Sequence, residues 1–209
     1  AVAAGTFAGA GVAVFLYDRQ MPTPILSFTV RQLGLDAGIM ITASHNSSEY
    51  NGYKVYDQDG CQLTDASAME VSMQIDRVSY EELTWMPLAD ARECGLLFDV
   101  GEDVVEAYYR STLSLSVGEP GIGDLRVVYT PLNGAGLEPV REIVRRMGGA
   151  PLILVPEQAR PDGAFSTCPK PNPENPHALE LAVRLGQEEG ADLILGTDPD
   201  CDRVGVVAL

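Results

Sequence analysis

Three aspartates at alternate positions, Asp198, Asp200 and Asp202, sit in GTDPDCDRVGV, Gly196 to Val206, directly after the apolar strand expected over Asp192 to Leu195. Carboxylates are hard oxygen ligands, so this spacing offers a site for a divalent cation such as Mg²⁺. The competing reading is a solvated acidic turn. In an extended strand, residues two apart are separated by ~6.6 Å and the outer aspartates by ~13 Å. One Mg²⁺, with ligands at ~2.1 Å, cannot bridge that distance. The segment must therefore curl if it binds a metal, and Gly196 and Pro199 suit a curled loop at the C-terminal end of a strand. It is not an EF-hand loop, because the sixth position is Arg203 rather than Gly and the twelfth is Leu209 rather than Glu.

A second group lies in ITASHNSSEYNGYKVY, Ile41 to Tyr56, where Ser44 leaves an apolar strand beside His45 and Asn46, with Lys54 ten residues on. A serine at such an exit is exposed yet rigidly backed, which suits a nucleophile. A plain Ser and Asn turn accounts for the same residues. The α/β-hydrolase elbow does not, since it needs GxSxG.

These residues require elements to hold them. An apolar strand is expected over Val12 to Tyr17, preceded by small residues that read as the tail of a helix. After MPTP, Met21 to Pro24, the spacing predicts a helix over Ile25 to Leu33 ending near Gly34, then strands at Gly38 to Thr42 and Tyr53 to Tyr56. Helices are expected at Asp65 to Arg77, capped by Thr64 or Asp65, and at Gly101 to Leu113; the pattern between them is weak. SVGEPGIGD, Ser116 to Asp124, marks a domain boundary. Beyond it come strands at Leu125 to Tyr129, Pro151 to Val155, Asp192 to Leu195 and Val204 to Val207, with helices at Ala135 to Met147 and Pro176 to Glu189. Strands alternating with helices imply an α/β fold with mainly parallel, mixed sheets.

Composition narrows the function. The 209 residues carry 14 Lys plus Arg against 30 Asp plus Glu, a formal charge of −16, which argues against nucleic acid and against an anionic membrane surface as partners. Cys61, Cys94, Cys168 and Cys201 form no CxxC pair, and a reducing cytoplasm is the expected compartment. The apolar first residues lack the basic start of a signal peptide.

TASHN followed by NGYK, then TPLNGAG, then GTDPDCDRVG together resemble the α-D-phosphohexomutase superfamily, and EYNGYKVY is similar to its phosphoglucomutase and phosphopentomutase-like branch. The motifs occur in family order and span most of the chain. The resemblance implies an N-terminal fragment of a four-domain architecture, with residues 1–118 as an incomplete first domain and 119–209 as a second, each α/β. It further implies that Ser44 carries a phosphoryl group, and that Asp198, Asp200, Asp202 and an oxygen of the phosphoserine bind one Mg²⁺. Arg203 then contacts the phosphoryl group, and His45 and Asn46 line the serine loop. Lys54 is the implied general acid/base, a role that asks for positive neighbours to lower its ammonium pKa. Ser47 departs from the family's usual Pro. TPLNGAG, Thr130 to Gly136, is expected only to open a helix.

The implied activity moves phosphate between a sugar 1-phosphate and a sugar 6-phosphate, with a sugar bisphosphate as intermediate and activator. A phosphosugar and the remaining domains of the same chain are the implied partners, and this segment alone is not expected to complete the cycle. A sugar-bisphosphate synthase or phosphopentomutase would present the same residues. A dehalogenase-like phosphatase would place the phosphate on Asp198 or Asp200, and a non-catalytic sugar-phosphate-binding fragment is the reading from another class.

Overall fold

A computed structural model describes residues 1–117 and 123–209. The expected junction between residues 118 and 119 lies outside the described residues. The elements run α1 (Val2–Gly9), β1 (Val14–Leu16), α2 (Thr23–Leu33), β2 (Gly38–Thr42), β3 (Gly52–Tyr56), α3 (Asp65–Ile75), α4 (Leu88–Glu93), β4 (Leu97–Asp99) and α5 (Glu102–Ser114). They continue with β5 (Val127–Thr130), α6 (Leu137–Arg146), β6 (Ile153–Leu154), α7 (Glu180–Glu189), β7 (Leu193–Thr197) and β8 (Val204–Ala208). None of the described helices is long and apolar enough to cross a membrane.

Packing divides the chain into two units, residues 1–20 with 62–104, and residues 21–61 with 105–209. In the first, β1 and β4 pair in parallel, and Ala8, Ala91 and Leu97 form a small core with Val14, Leu16 and Leu88 around it. The helix α4 and strand β4 occupy the stretch whose sequence pattern is weak. They are six and three residues long, too short to generate a periodic signal. Thr64 caps α3 by accepting a hydrogen bond from the Ser67 N–H, as its residue type leads one to expect.

The second unit holds a four-stranded sheet in the order β6-β5-β7-β8, with β6, β5 and β7 parallel and β8 antiparallel. Val128, Val155, Ala182, Ala191 and Ile194 form its core, with α7 packed over β5 and β7. The helix expected from Pro176 is split: Pro176–Leu179 is a 3₁₀ turn with Asn175 as its cap, and α7 follows from Glu180. β2 and β3 form a separate antiparallel hairpin in which Met40 is opposite Lys54 and Thr42 opposite Gly52. α2 packs on β2, with Ile25 and Val30 among its buried residues, and Gly34 ends it in the left-handed conformation, φ 63°. Glycine adopts that conformation without a Cβ clash, and it satisfies the last carbonyls of the helix.

The alternation along β7 and β8 gives a direct check on this register. Ile194→Ala removes a fully buried side chain at the centre of the sheet, and should destabilise the chain by about 2–5 kcal/mol. Val206→Ala, on the exposed face of β8, should change stability by no more than about 0.5 kcal/mol. Urea unfolding of the two variants should therefore differ clearly, and equal midpoints would contradict the sheet as described.

Candidate active site

All the candidate site residues read from the sequence belong to the second unit. The turn between β7 and β8 curls as the metal reading requires: the Cys201 N–H donates to the Asp198 carbonyl at 2.9 Å, with Pro199 inside the turn and Cys201 left-handed at φ 56°. One carboxylate oxygen each of Asp198, Asp200 and Asp202 thereby comes within 4.8 Å of the others. Asp198 is completely buried, Asp200 nearly so, and Asp202 exposed.

The oxygens of this cluster are not equally provided for. Asp198 Oδ1 accepts from the N–H groups of Asp202 at 3.1 Å and Arg203 at 3.0 Å. Asp200 Oδ2 accepts from Lys54 Nζ at 2.8 Å and from the Thr23 hydroxyl at 3.2 Å. Asp202 Oδ2 accepts from Lys54 Nζ at 2.9 Å. Asp198 Oδ2 and Asp200 Oδ1 are buried without a partner. A buried carboxylate oxygen without a protein donor is costly, and buried charges are ordinarily paired or coordinate a metal. Two such oxygens in a cluster of three hard ligands fit a divalent cation.

The electrostatics follow from the same contacts. Burial, reinforced by the neighbouring charge of Asp200, pushes the Asp198 carboxyl well above its ordinary value. Burial acts on Asp200 in the same direction, but hydrogen bonds led by that from Lys54 outweigh it and hold that carboxyl below its ordinary value. Burial disfavours the Lys54 ammonium, yet Asp200 and Asp202 push it up to about 12. The groups that set this lysine are therefore carboxylates, which raise it, whereas an acid/base role asks for positive neighbours that lower it. Cys201 lies inside the acidic loop, where burial pushes its thiol up to about 11 and keeps it neutral.

Ser44 stands in the β2–β3 loop, in the left-handed region at φ 51°, which is uncommon for a residue with a side chain. Its N–H donates to Thr42 Oγ1 at 2.8 Å, and its hydroxyl lies 3.2 Å from His45 Nδ1. Asn46 closes the turn by donating its N–H to the Ala43 carbonyl. The hairpin thus carries both Ser44 and Lys54, and Lys54 reaches the aspartates. The Arg203 guanidinium points instead to Glu174, 2.9 Å away, while its backbone serves Asp198.

Two parts of this site escaped the sequence reading. Thr23 opens α2, and its only sequence signal is its place in MPTP before an amphipathic helix. TPLNGAG does more than open α6: Leu132 and Asn133 are left-handed at φ 47° and 60°, Asn133 donates to the carbonyls of Glu157 and Arg160, and the Ala135 N–H donates to the Pro199 carbonyl. The loop forms a floor against which the acidic turn is bonded.

Two family profiles match the chain. "Phosphoglucomutase/phosphomannomutase, alpha/beta/alpha domain I" matches residues 1–82, and the corresponding domain II matches residues 106–208. The chain belongs to the phosphoglucomutase/phosphomannomutase family. It is 40% identical to a phosphoglucomutase of Staphylococcus epidermidis over 207 residues, covering 99% of this chain and 38% of that protein. It is 37% identical to a probable phosphomannomutase of Haemophilus influenzae, covering 95% of this chain and 40% of that one. A solved structure of a putative phosphomannomutase from Thermus thermophilus superposes with a TM-score of 0.79 at 28% identity, over 98% of this chain and 44% of that one. The chain spans about two fifths of the length of these relatives. Its two family domains are the α/β/α domains I and II, with mixed sheets, in agreement with the expected fold class.

The floor beneath the acidic loop should tolerate no added side chain. A Cβ on Gly134 would lie 2.2 Å from Pro199 Cα and 2.3 Å from its carbonyl oxygen, both backbone atoms. Gly134→Ala should cost about 1–3 kcal/mol in urea unfolding, because the loop must shift to admit the methyl group. An unchanged midpoint would show that the two loops are not in contact.

Proposed function

We propose that this chain is the phosphoserine-bearing and metal-binding part of a phosphohexomutase, interconverting a sugar 1-phosphate and a sugar 6-phosphate. The observation that carries the reading is the pair of buried, unpartnered oxygens on Asp198 and Asp200, beside a lysine delivered by the same hairpin as Ser44. We assign residues 1–118 to the first family domain and 119–209 to the second. Asp198, Asp200 and Asp202 would hold one Mg²⁺, with an oxygen of phosphorylated Ser44 as a further ligand. Bound there, the cation supplies charge neutralisation for a transferable phosphoryl group.

The residues divide the remaining work. Ser44 Oγ carries the phosphoryl group, and a sugar hydroxyl attacks its phosphorus. The bond from phosphorus to Ser44 Oγ breaks as the bond to the sugar oxygen forms, giving a bisphosphate that later returns its other phosphate to Ser44. The hydroxyl proton must go to a base, which we assign to Lys54, and from there to Ser44 Oγ, which keeps the electron pair of the broken bond and becomes a hydroxyl again. While Asp200 and Asp202 bond to it, that ammonium sits too high to accept a proton, so its role depends on those carboxylates being occupied otherwise. His45, within reach of the Ser44 hydroxyl, orients it. Asn46 lines the loop. The exposed Arg203–Glu174 pair contributes little stability, so Arg203 can turn to a phosphoryl oxygen at small cost. The sugar's distal phosphate is assigned to domains beyond the two matched here. A cytoplasmic site of action suits a phosphosugar enzyme.

Two measurements test this reading. After incubation with a hexose 1,6-bisphosphate and Mg²⁺, peptide mapping should find phosphate on Ser44; phosphate on Asp198 or Asp200, with Ser44 bare, would instead indicate a dehalogenase-like phosphatase. In the full-length protein, Lys54→Met should lower kcat by about 10²–10⁴-fold with KM changed only a few-fold, the effect of losing general acid/base catalysis. Normal turnover in that variant removes Lys54 from the mechanism.

A further inference from the structure

Thr23 makes two bonds to a single aspartate across 177 positions of sequence. Its N–H donates to the Asp200 carbonyl at 2.9 Å, and its hydroxyl donates to Asp200 Oδ2 at 3.2 Å. Both residues are buried, Thr23 at 3% and Asp200 at 4% exposure. The backbone bond fixes where the acidic turn lies against the first turn of α2. The hydroxyl bond fixes something else, the rotation of the carboxylate. With Oδ2 held by Thr23 and Lys54, the other oxygen, Oδ1, is left buried and without a partner.

The structure assigns Thr23 as a positioning residue for the acidic cluster: its hydroxyl holds Oδ2 of Asp200 and so presents Oδ1 to a divalent cation. This inference rests on the reading of the three aspartates as a cation site. Lys54 cannot replace Thr23 in this task, because its ammonium is shared between Asp200 and Asp202 and sits at the end of a flexible stem. Thr23, by contrast, has a short, branched and buried side chain on helical backbone, and little rotamer freedom is lost in holding it. Partners of this kind, bonded to a metal ligand rather than to the metal, typically change metal affinity by about 10–100-fold when removed.

The test is Mn²⁺ binding, followed by the electron-spin-resonance signal of free Mn²⁺, on the full chain and its Thr23→Val, Thr23→Ser and Asp200→Asn variants, with thermal unfolding measured alongside. Val keeps the size and the backbone bond but removes the hydroxyl; Ser keeps the hydroxyl. The expected result is a Thr23→Val affinity about tenfold weaker than wild type, with Thr23→Ser within about twofold of it and Asp200→Asn weakened at least as much as Val. Wild-type affinity in folded Thr23→Val, together with weak binding by Asp200→Asn, overturns the role of Thr23 and leaves the cation site standing. No saturable binding by wild type, or binding unaltered by Asp200→Asn, overturns the cation site itself and this inference with it. If Thr23→Val fails to unfold cooperatively, Thr23→Ala removes the same hydroxyl without the second methyl group. Loss of cooperative unfolding in both, with Ser intact, makes the hydroxyl a structural requirement and also overturns the proposal.

Discussion

Three carboxylates confined within 4.8 Å, two of them buried, are the constraint to which the second unit is built. Left to themselves, such charges would repel, and the two buried ones would forfeit hydration, a cost of several kcal/mol per ion. The chain answers with donors drawn from distant segments: backbone N–H groups of the turn itself, the first residue of α2, and a lysine from β3. Each donor is useful only at one position, so the constraint passes outward. α2 must begin at Thr23, β3 must pair with β2 in the register that sets Lys54 opposite Met40, and the TPLNGAG loop must lie close enough for Ala135 to bond Pro199.

The parts of this arrangement that sequence discloses are those governed by short-range rules. The apolar runs that form β2, β5 and β7 are bounded by Gly, Pro and polar residues, and each strand lies within a few positions of its expected place. If the three aspartates share one ion, the curl of the acidic segment follows from length alone, since alternate aspartates on an extended strand cannot reach it together. A turn closed by Cys201 and the Asp198 carbonyl is the form it takes. By contrast, α4 and β4 are illegible because six- and three-residue elements carry no period, and the 3₁₀ turn at Pro176 merges in the pattern with the helix that follows it. The packing units are illegible for another reason: residues 21–61 group with 105–209, and grouping by space has no signature in the order of residues.

Thr23 and Lys54 mark a deeper limit. Nothing local distinguishes a threonine that opens a helix from one that also holds a carboxylate 177 residues away. The sequence does place Lys54 ten residues after Ser44, but not its surroundings, and the sign of its shift depends on those surroundings. A lysine among positive groups becomes a base at neutral pH; the same lysine between two aspartates is locked as an ammonium. The excess of acidic residues, 30 against 14, already leans towards the second outcome, though only the fold says which acids are close.

That sign bears on how the proposed cation and the lysine would share one set of carboxylates. Lys54 satisfies one oxygen each of Asp200 and Asp202, while two further oxygens of the cluster remain open, so the ammonium neutralises the site only in part. On the proposed reading, a dication drawn to the open oxygens competes with it for the same carboxylate charge. Were that charge committed elsewhere, the interaction that raises the lysine would weaken, and burial, which acts to lower it, would gain relative weight. The side chain would then be freer to turn towards the loop of its own hairpin, where Ser44 stands in a left-handed turn. Occupation of the acidic cluster and the availability of a proton carrier on the serine hairpin would then not be separate properties. Both would follow from how little positive charge the fold supplies to three aspartates.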